Sequence, residues 1–313
     1  MEEESYRAIL MKTYMQPVDF SEYEDIIMEP LNYLAQKPHK TFQKFIHAAN
    51  YWFKLSPDQL KYAEETLQLC INATTTLDDI VDDGKIARGE PAPHTVYGVP
   101  ATLMSCEFAN YKFLRRVLDL NDKDYLKCSV ECAMNAFKGQ AVEIYWRENS
   151  ICPTFEEYVM LNNAKATCYF FVSLGFMQAL STNKKDYSRI MALSGIFFQF
   201  RNDYRNLFMP EDNNNFEVYA DDLTEGKFSL PLVHAISTLK NEEVAEILKL
   251  RPKDLETKRR CVKILKEIGS QKYCLDLLNE TAATIKKEIR NFDENPLMEL
   301  SIDIACDFNY WTE

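Results

Sequence analysis

The chain contains few residues that build turns and no long apolar run. Its 313 residues include only 8 glycines and 12 prolines, and this scarcity argues against a turn-rich all-β fold. No stretch reaches the roughly 18 consecutive apolar residues that a membrane-spanning helix requires, so we expect no membrane span. Runs in which apolar and polar residues alternate, as in a half-buried strand, are also absent.

The chain also has no excess of positive charge. It carries 36 lysines and arginines against 48 aspartates and glutamates, which gives a net charge of −12. Because an acidic surface repels phosphate backbones and anionic lipid headgroups, we expect neither nucleic acid nor a membrane surface as a partner. An anionic substrate would therefore need a local basic site or bound metal ions.

The nine cysteines form no zinc-binding or redox motif. They are scattered, without a Cys-x-x-Cys pair and without a histidine at the spacing of a zinc site. Their number is odd, and the first ten residues, MEEESYRAIL, are acidic rather than signal-like. We therefore expect reduced thiols in a cytoplasmic protein.

What the chain does contain is helical periodicity. Over residues 60–80, apolar side chains recur mostly at spacings of three and four, the period of one helix face. The same pattern recurs, between short polar breaks, in residues 101–118, 125–147, 155–181, 185–208, 230–248 and 256–290. The pattern predicts a single all-α domain over residues 1–313, with roughly ten helices and a short N-terminal extension over about residues 1–22.

A cluster of acidic residues ends the first of these helices. Asp78 and Asp82 are four residues apart, so they share one helix face with Cβ atoms about 5–6 Å apart. The carboxylates repel one another near the unfavourable end of the helix dipole, and a hard divalent cation would relieve that cost. Oxygen ligands at this spacing suit Mg²⁺, which bridges to substrate phosphates. A solvated acidic helix end is the alternative interpretation.

A second polar cluster follows an apolar, aromatic run. Asn202 and Asn206 are again four residues apart, and Asp203 lies beside Asn202. Amide and carboxylate oxygens in this arrangement could close a second metal site opposite the first. Taken alone, the cluster would be interpreted as the polar end of a helix.

Basic and aromatic residues complete the set of candidates. Arg88, Lys165 and Lys227 stand in or just beyond apolar or acidic surroundings, and together with the two polar clusters they indicate a diphosphate held by Mg²⁺ and cationic side chains. Aromatic residues near Tyr169 and Phe198 could line a cavity, where ring faces stabilise a cation. These features suit ionisation of an allylic diphosphate to a carbocation.

Six stretches, in order along the chain, carry a family resemblance. They are Pro30-Leu31-x-Tyr33-Leu34, Asp78-Asp79-Ile80-x-Asp82, Arg88-Gly89-x-Pro91-x-x-His94-x-x-Tyr97-Gly98-x-Pro100, Gly139-Gln140-x-x-x-Ile144-Tyr145-Trp146-Arg147, Phe198-Gln199-x-Arg201-x-Asp203-Tyr204-x-Asn206-Leu207 and Asp222-Leu223-Thr224-Glu225-Gly226-Lys227-Phe228-Ser229. Through them the sequence resembles the trans-isoprenyl diphosphate synthases, most closely the animal geranylgeranyl diphosphate synthases. The resemblance implies an all-α isoprenoid synthase (trans-prenyltransferase) fold around a central cavity.

The resemblance also implies roles for individual residues. Between its two Asp-rich motifs the family holds three Mg²⁺ ions, for which the candidate ligands here are Asp78, Asp82, Asn202, Asp203 and Asn206. The candidate catalytic residues are the acids of the first motif, including its remaining acid Asp79, and two lysines. Lys165 and Lys227 resemble the lysines that hold the allylic diphosphate. Gln199 resembles the glutamine beside the second motif. The start of the second motif also resembles, in part, the metal motif of class I terpene synthases.

The departures from the family concern mainly its second substrate, isopentenyl diphosphate. The family holds that diphosphate with a Gly-Lys-x-x-Arg stretch, a His and the second of two Arg residues. Here Lys40 remains, but Gln43 replaces the Arg and Ile71 replaces the His. A charge-assisted hydrogen bond is worth roughly 1.5–3 kcal/mol, so the two losses would weaken binding by roughly two to four orders of magnitude if additive. The family uses the first Arg of the pair to bind the allylic diphosphate, and Ala87 replaces it here. The second, Arg88, remains.

This pattern favours a Mg²⁺-dependent terpene synthase recruited from a geranylgeranyl-diphosphate-synthase-like ancestor, as has happened in insects. It would ionise geranyl, farnesyl or geranylgeranyl diphosphate to a hydrocarbon or alcohol. One alternative is a chain-elongating synthase whose second site is rebuilt around Lys40 and Arg88. Others are a non-catalytic subunit that modifies a true synthase and a helical scaffold without a ligand. The resemblance implies a homodimer or larger homo-oligomer.

Overall fold

The computed structural model describes residue 8 and residues 19–36, 40–210 and 219–307, although the side chain of Lys40 is outside this description. The predicted N-terminal extension lies largely outside it too. Within these residues the chain is almost entirely α-helical, which confirms the predicted all-α fold class. None of the described helices is both long and apolar enough to cross a membrane.

Fourteen α-helices account for most of the described residues. They are α1 (Glu24–Ala35), α2 (Lys40–Phe53), α3 (Pro57–Val81), α4 (Pro93–Tyr97), α5 (Val99–Asp119), α6 (Lys123–Glu148), α7 (Phe155–Leu180), α8 (Ser188–Phe208), α9 (Asp221–Glu225), α10 (Leu230–Val233), α11 (Glu242–Leu250), α12 (Leu255–Glu267), α13 (Ser270–Phe292) and α14 (Pro296–Cys306). A 3₁₀ turn (Ser21–Tyr23) precedes α1, and a π-helical turn (His234–Thr238) follows α10. Strands β1 (Ile86–Ala87) and β2 (Glu90–Pro91) form an antiparallel hairpin between α3 and α4.

The structure corrects the predicted helices in two respects. The segment predicted over residues 230–248 is divided into α10, the π-helical turn and α11. The segment over residues 256–290 is divided at Gly269, whose φ of 84° is left-handed and ends the helical geometry. Helices α4 and α9 and the hairpin strands have five residues or fewer, too short to produce a periodic pattern. Helices α1, α2 and α14 have 12, 14 and 11 residues and lie outside the segments predicted from periodicity.

Capping boxes fix the start of α3 and α7, two of the helices that carry predicted site residues. Before α3, the Ser56 hydroxyl accepts a hydrogen bond from the Gln59 backbone at 3.3 Å, and the Gln59 side chain accepts one from the Ser56 backbone at 3.0 Å. Thr154 and Glu157 make the same exchange before α7. Such a cap stabilises a helix by about 1 kcal/mol and fixes the residue at which the helix begins.

Helix α7 lies between α6 and α8, and α3 packs mainly on α5 while also contacting α7. Gly195 allows α8 to approach α7 closely, because a Cβ atom at this position would lie 2.6 Å from Cα of Thr167 on α7. Gly139 of α6 does the same, since its Cβ would lie 2.8 Å from Cγ of Lys165. This packing brings the polar residues of α3, α6, α7 and α8 together.

Candidate active site

The first acidic motif occupies the last turn of α3. Asp82 is the C-cap residue, and its backbone N–H donates to the backbone oxygen of Asp78 at 2.9 Å. The two carboxylates differ in environment, because the side chain of Asp78 is 41% exposed and that of Asp82 is 5% exposed. Asp78 can therefore accept an external ligand, whereas Asp82 is enclosed by the protein.

Two cations compensate the buried carboxylate of Asp82. Arg147, near the end of α6, lies 2.5 Å from Oδ1 through its Nη1 atom, and Lys227, which follows α9, lies 3.4 Å from Oδ2. Arg147 also donates to the backbone oxygen of Val81 at 3.2 Å. Arg147 was not predicted as a site residue, although it ends the stretch that begins with Gly139.

Lys165 joins α7 to both α3 and α6. Its Nζ atom lies 3.9 Å from Oδ1 of Asp78 and makes a hydrogen bond to Glu143 of α6. Glu143 was not predicted either, yet its spacing offered a signal. Gln140, Glu143 and Arg147 are three and four residues apart and therefore share one face of α6.

These contacts shift the pKa values of the central groups. Burial alone would raise the pKa of Asp78, but Lys227 and Lys165 outweigh it and hold the pKa below its usual value. Burial, together with the charges of Asp78 and Asp82, raises the pKa of Asp79 to about 7. Burial works against the charge of Lys227, but the surrounding carboxylates raise its pKa well above the usual value. At neutral pH the site thus holds an anionic Asp78 and a cationic Lys227.

A tight turn places Lys227 at this site. Gly226 ends α9 with a left-handed φ of 75°, and the backbone N–H of Lys227 donates to the Asp222 oxygen at 2.9 Å. Glu225 lies 3.8 Å from the Lys227 ammonium. Burial, with the nearby charge of Asp203, raises the pKa of Asp222 to about 8. The resemblance includes Asp222 and Glu225, but neither was predicted as a site residue.

The second motif lies on α8, and most of its polar atoms bond within the protein. The buried carboxylate of Asp203 accepts hydrogen bonds from Gln199 at 2.7 Å, Tyr158 at 2.5 Å and the backbone of Leu230 at 2.7 Å. These contacts connect α8 to α7 and α10. They give Asp203 and Gln199 a positioning role, while the metal and substrate contacts predicted for them stay predictions.

The two asparagines of this motif differ in exposure. Asn206 accepts a hydrogen bond from the backbone N–H of Asp222 at 3.0 Å and so holds the start of α9. The side chain of Asn202 is exposed. Among the three predicted ligands on α8, Asn202 is therefore the one placed to accept an external group.

The predicted contacts for the second substrate are only partly described. The guanidinium of Arg88 donates to Asn72 at 2.8 Å, to the backbone oxygen of Leu34 at 3.4 Å and to Thr75 at 3.5 Å. These acceptors lie on α1 and α3, so Arg88 ties the hairpin to both helices. The side chain of Lys40 lies outside the described residues, and its role stays a prediction.

The donor set fits Mg²⁺ held jointly by protein and substrate. Over the described ranges, no group of three His, Cys, Asp or Glu residues is arranged to hold a metal by itself. Mg²⁺ is usually held by one or two carboxylates, with water and substrate phosphate completing its ligands. The exposed oxygens of Asp78 and Asn202 provide hard ligands of this kind.

Comparison with known proteins places this site in a family. Residues 24–265 match the family described as polyprenyl synthetase. A geranylgeranyl pyrophosphate synthase of Mucor circinelloides f. lusitanicus is 35% identical over 282 residues, which cover 90% of this chain and 93% of the relative. A terpene synthase of Matsumurasca onukii is 32% identical over 278 residues, which cover 88% and 91%. The chain therefore belongs to the polyprenyl synthetase family, which confirms the predicted resemblance to prenyl diphosphate and terpene synthases.

Proposed function

We propose that the protein is a Mg²⁺-dependent terpene synthase, which ionises an allylic prenyl diphosphate and releases diphosphate. One contrast carries the proposal. The acids and lysines for an allylic diphosphate are present and contact one another. By contrast, Ile71, in the place of the family's His, is 7% exposed and apolar, and Gln43 has no charge. A second diphosphate gains no cationic partner at either position.

In this proposal the charged residues divide into two groups. Asp78 and Asn202 would hold Mg²⁺, three ions in all by family resemblance, and Asp82 would join them once Lys227 leaves its carboxylate. Bound Mg²⁺ would neutralise charge on the departing diphosphate. Lys165 and Lys227 would exchange their present carboxylate partners for diphosphate oxygens, with charge-assisted hydrogen bonds of similar strength. The release of diphosphate leaves an allylic cation.

An aromatic cluster on and beside α7 supports the proposal that an allylic cation forms in this site. Phe170, five residues after Lys165, stacks on Phe198 with ring centroids 5.5 Å apart, and Phe45 meets Phe170 edge-on at 4.8 Å. Ring faces stabilise a nearby cation. Without isopentenyl diphosphate to capture it, the cation would end by deprotonation, cyclisation or reaction with water.

Chain elongation is the second candidate function, and two observations favour it. Several relatives are named geranylgeranyl pyrophosphate synthases, including one from Gibberella zeae that is 34% identical over 296 residues. Lys40 and Arg88 also remain from the family's second site. In this alternative they would bind isopentenyl diphosphate, which would then be joined to the allylic chain.

A product assay separates these functions. Purified protein with Mg²⁺ would receive geranyl, farnesyl or geranylgeranyl diphosphate alone and then with isopentenyl diphosphate, and products would be identified by mass spectrometry. A hydrocarbon or alcohol from a single diphosphate is the expected result. Longer diphosphates formed only when isopentenyl diphosphate is present would support elongation instead. No product under any condition would favour a non-catalytic subunit.

We also propose that the protein forms a homodimer through α5 and α6. One side of these helices exposes large apolar side chains, namely Met104, Tyr111, Leu118, Val130, Met134, Phe137 and Tyr145. The three on α5 are seven residues apart, and the four on α6 share one face. Clusters of exposed apolar side chains mark interaction surfaces, and a twofold dimer would bury the same ones on both subunits. Light scattering should show that Phe137→Asp dissociates the dimer, whereas Met160→Asp, at an exposed position on α7, should not.

A cytoplasmic location completes the proposal. All nine cysteines are free thiols in the structure, and free thiols persist in a reducing compartment. Microscopy of the tagged full-length chain would test the location, and a signal confined to a secretory compartment would contradict it.

A further inference from the structure

Four of the nine cysteines meet where α3, α6 and α7 pack together. Cys70 lies on α3, Cys128 and Cys132 are one turn apart on α6, and Cys168 lies on α7. The thiols of Cys128 and Cys168 both interact with that of Cys132. Because three helices contribute, the spacing along the chain gave no sign of this cluster.

Cys132 and Cys168 are the pair that spans α6 and α7. The Sγ atom of Cys168 lies 3.1 Å from the backbone oxygen of Cys132 and 3.0 Å from that of Ala164. The helices are close along this stretch, as the contact between Gly139 and Lys165 shows. A disulfide joins residues whose Cα atoms are about 4.4–6.8 Å apart. The contact of the Cys168 sulfur with the Cys132 main chain and the interaction between the two side chains place this pair together across the α6–α7 interface.

Cys168 is the thiol of this cluster best suited to react. Hydrogen bonding from the Cys132 side chain lowers the pKa of the Cys168 thiol, whereas burial raises the pKa of Cys70 to about 12. Cys168 is also only partly buried, while Cys261, in the core, is 0% exposed. Because the thiolate is the nucleophile, Cys168 should react before the other three cysteines of the cluster, whose pKa values are raised.

We propose that Cys168 and Cys132 form a redox-active thiol pair that takes hydrogen peroxide as oxidant and links α7 to α6. The Cys168 thiolate attacks one peroxide oxygen, the O–O bond breaks, and water leaves after the second oxygen takes up a proton. Cys168 is then a sulfenic acid. The Cys132 sulfur attacks the Cys168 sulfur, the S–O bond breaks, and the hydroxyl leaves as water with the Cys132 proton. Two thiols lose two electrons, and one peroxide becomes two waters.

This modification site is separate from the proposed reaction and does not depend on it. The new bond would lie one helical turn from Lys165, on the two helices that the Lys165–Glu143 hydrogen bond already connects. The oxidised form would therefore hold α6 and α7 at a fixed separation beside the charged residues. Its formation can be measured without any substrate.

Peptide mapping of the full-length protein, without reductant and after exposure to hydrogen peroxide, tests the proposal. We expect one linked pair of peptides, containing Cys132 and Cys168 and lighter by two hydrogens than their sum. The pair should persist in Cys128→Ser and disappear in Cys132→Ser and Cys168→Ser. In Cys132→Ser, a dione probe should trap sulfenic acid at Cys168. No link, or a link between other cysteines, in protein whose circular dichroism is native would overturn the proposal.

Alkylation rates provide a second measurement that needs no oxidant. In the folded protein, iodoacetamide should modify Cys168 at least about tenfold faster than Cys261, because of its lower pKa and greater exposure. Equal rates at the two cysteines would contradict the assignment of Cys168 as the reactive thiol.

Discussion

The carboxylate of Asp82 links three distant parts of the chain. One oxygen contacts Arg147 from α6, and the other faces Lys227 from the turn after α9. A buried carboxylate is tolerated only when such partners compensate its charge. Asp78, one turn earlier, has a more exposed side chain, and it is the acid of the pair that can take an external ligand.

Replacing Asp78 by Ala should abolish Mg²⁺-dependent turnover, because the variant removes the exposed carboxylate of the proposed metal site. We expect kcat/KM to fall by more than the roughly 10–100-fold that loss of an outer partner of a metal site costs. Release of diphosphate from the allylic substrate measures this directly. Asp58→Ala, at the exposed start of the same helix, should leave turnover unchanged. Full activity in Asp78→Ala would refute the metal assignment.

Replacing Arg147 by Met should destabilise the fold. The variant leaves Asp82 buried with Lys227 as its remaining cation, and the removal of one partner from a buried pair costs about 3–5 kcal/mol. Urea denaturation would measure the change in the free energy of unfolding. The control is Arg115→Met, which breaks an exposed pair with Asp119 and should cost less than about 1 kcal/mol. Similar losses in both variants would contradict the role assigned to Arg147.

Asp79 should make the stability of the metal-free protein depend on pH. Its pKa is raised to about 7 in the folded state, from an ordinary value near 4, so the folded state binds more protons between these limits. Its contribution is fully present below about pH 4 and is lost as the pH rises through about 7. Asp79→Asn should therefore lose less thermal stability than the wild type between pH 5 and pH 8, measured with a chelator present. Asp83→Asn, at an exposed acid, should behave like the wild type, and an unchanged slope in Asp79→Asn would contradict the raised pKa.

The helices position these side chains by packing closely around α7. Its neighbours α6 and α8 each approach it at a glycine, Gly139 or Gly195, so that Lys165 faces Glu143 while Tyr158 reaches Asp203. The separations between helices thus determine which charged groups meet.

Gly195→Ala should therefore lower the stability of the protein. The added methyl would lie 2.6 Å from Cα of Thr167, a backbone atom that cannot move without shifting α7. Overpacking of this kind costs about 1–3 kcal/mol. Gly84→Ala is a matched control, because its new methyl would have its nearest contact at 3.6 Å. Thermal unfolding of both variants gives the comparison, and equal midpoints would show that α8 does not need the glycine.

Over the whole chain, the features that could be predicted are those that depend on residues close together in the sequence. The long helices follow from three- and four-residue spacing, and Asp78, Asp82, Lys165 and Lys227 were identified by their unusual surroundings and by the motifs around them. Arg147 and Glu143, two of the residues that were missed, owe their importance to partners on other helices. Contacts between residues so far apart in sequence leave little trace in the pattern around either one.

The same limit applies to residues whose chemical type suggested a contact with substrate. Arg88 was assigned to a diphosphate because it is basic and matches a family motif, but the structure shows three protein acceptors around its guanidinium. Asp203 was assigned to a metal, and the structure shows both of its oxygens accepting hydrogen bonds. Residue type identifies the groups that can take part in a site. Tertiary packing determines how many of their donor and acceptor atoms are already hydrogen-bonded to other protein groups.

The proposed function requires that the protein ionises an allylic diphosphate but no longer joins it to isopentenyl diphosphate. Incubation with Mg²⁺, an allylic diphosphate and carbon-13-labelled isopentenyl diphosphate separates the two reactions, because mass spectrometry counts the label in every product. We expect unlabelled hydrocarbons or alcohols whose carbon number equals that of the allylic substrate. Labelled diphosphates five or more carbons longer would contradict it and would show that the family's elongation reaction persists.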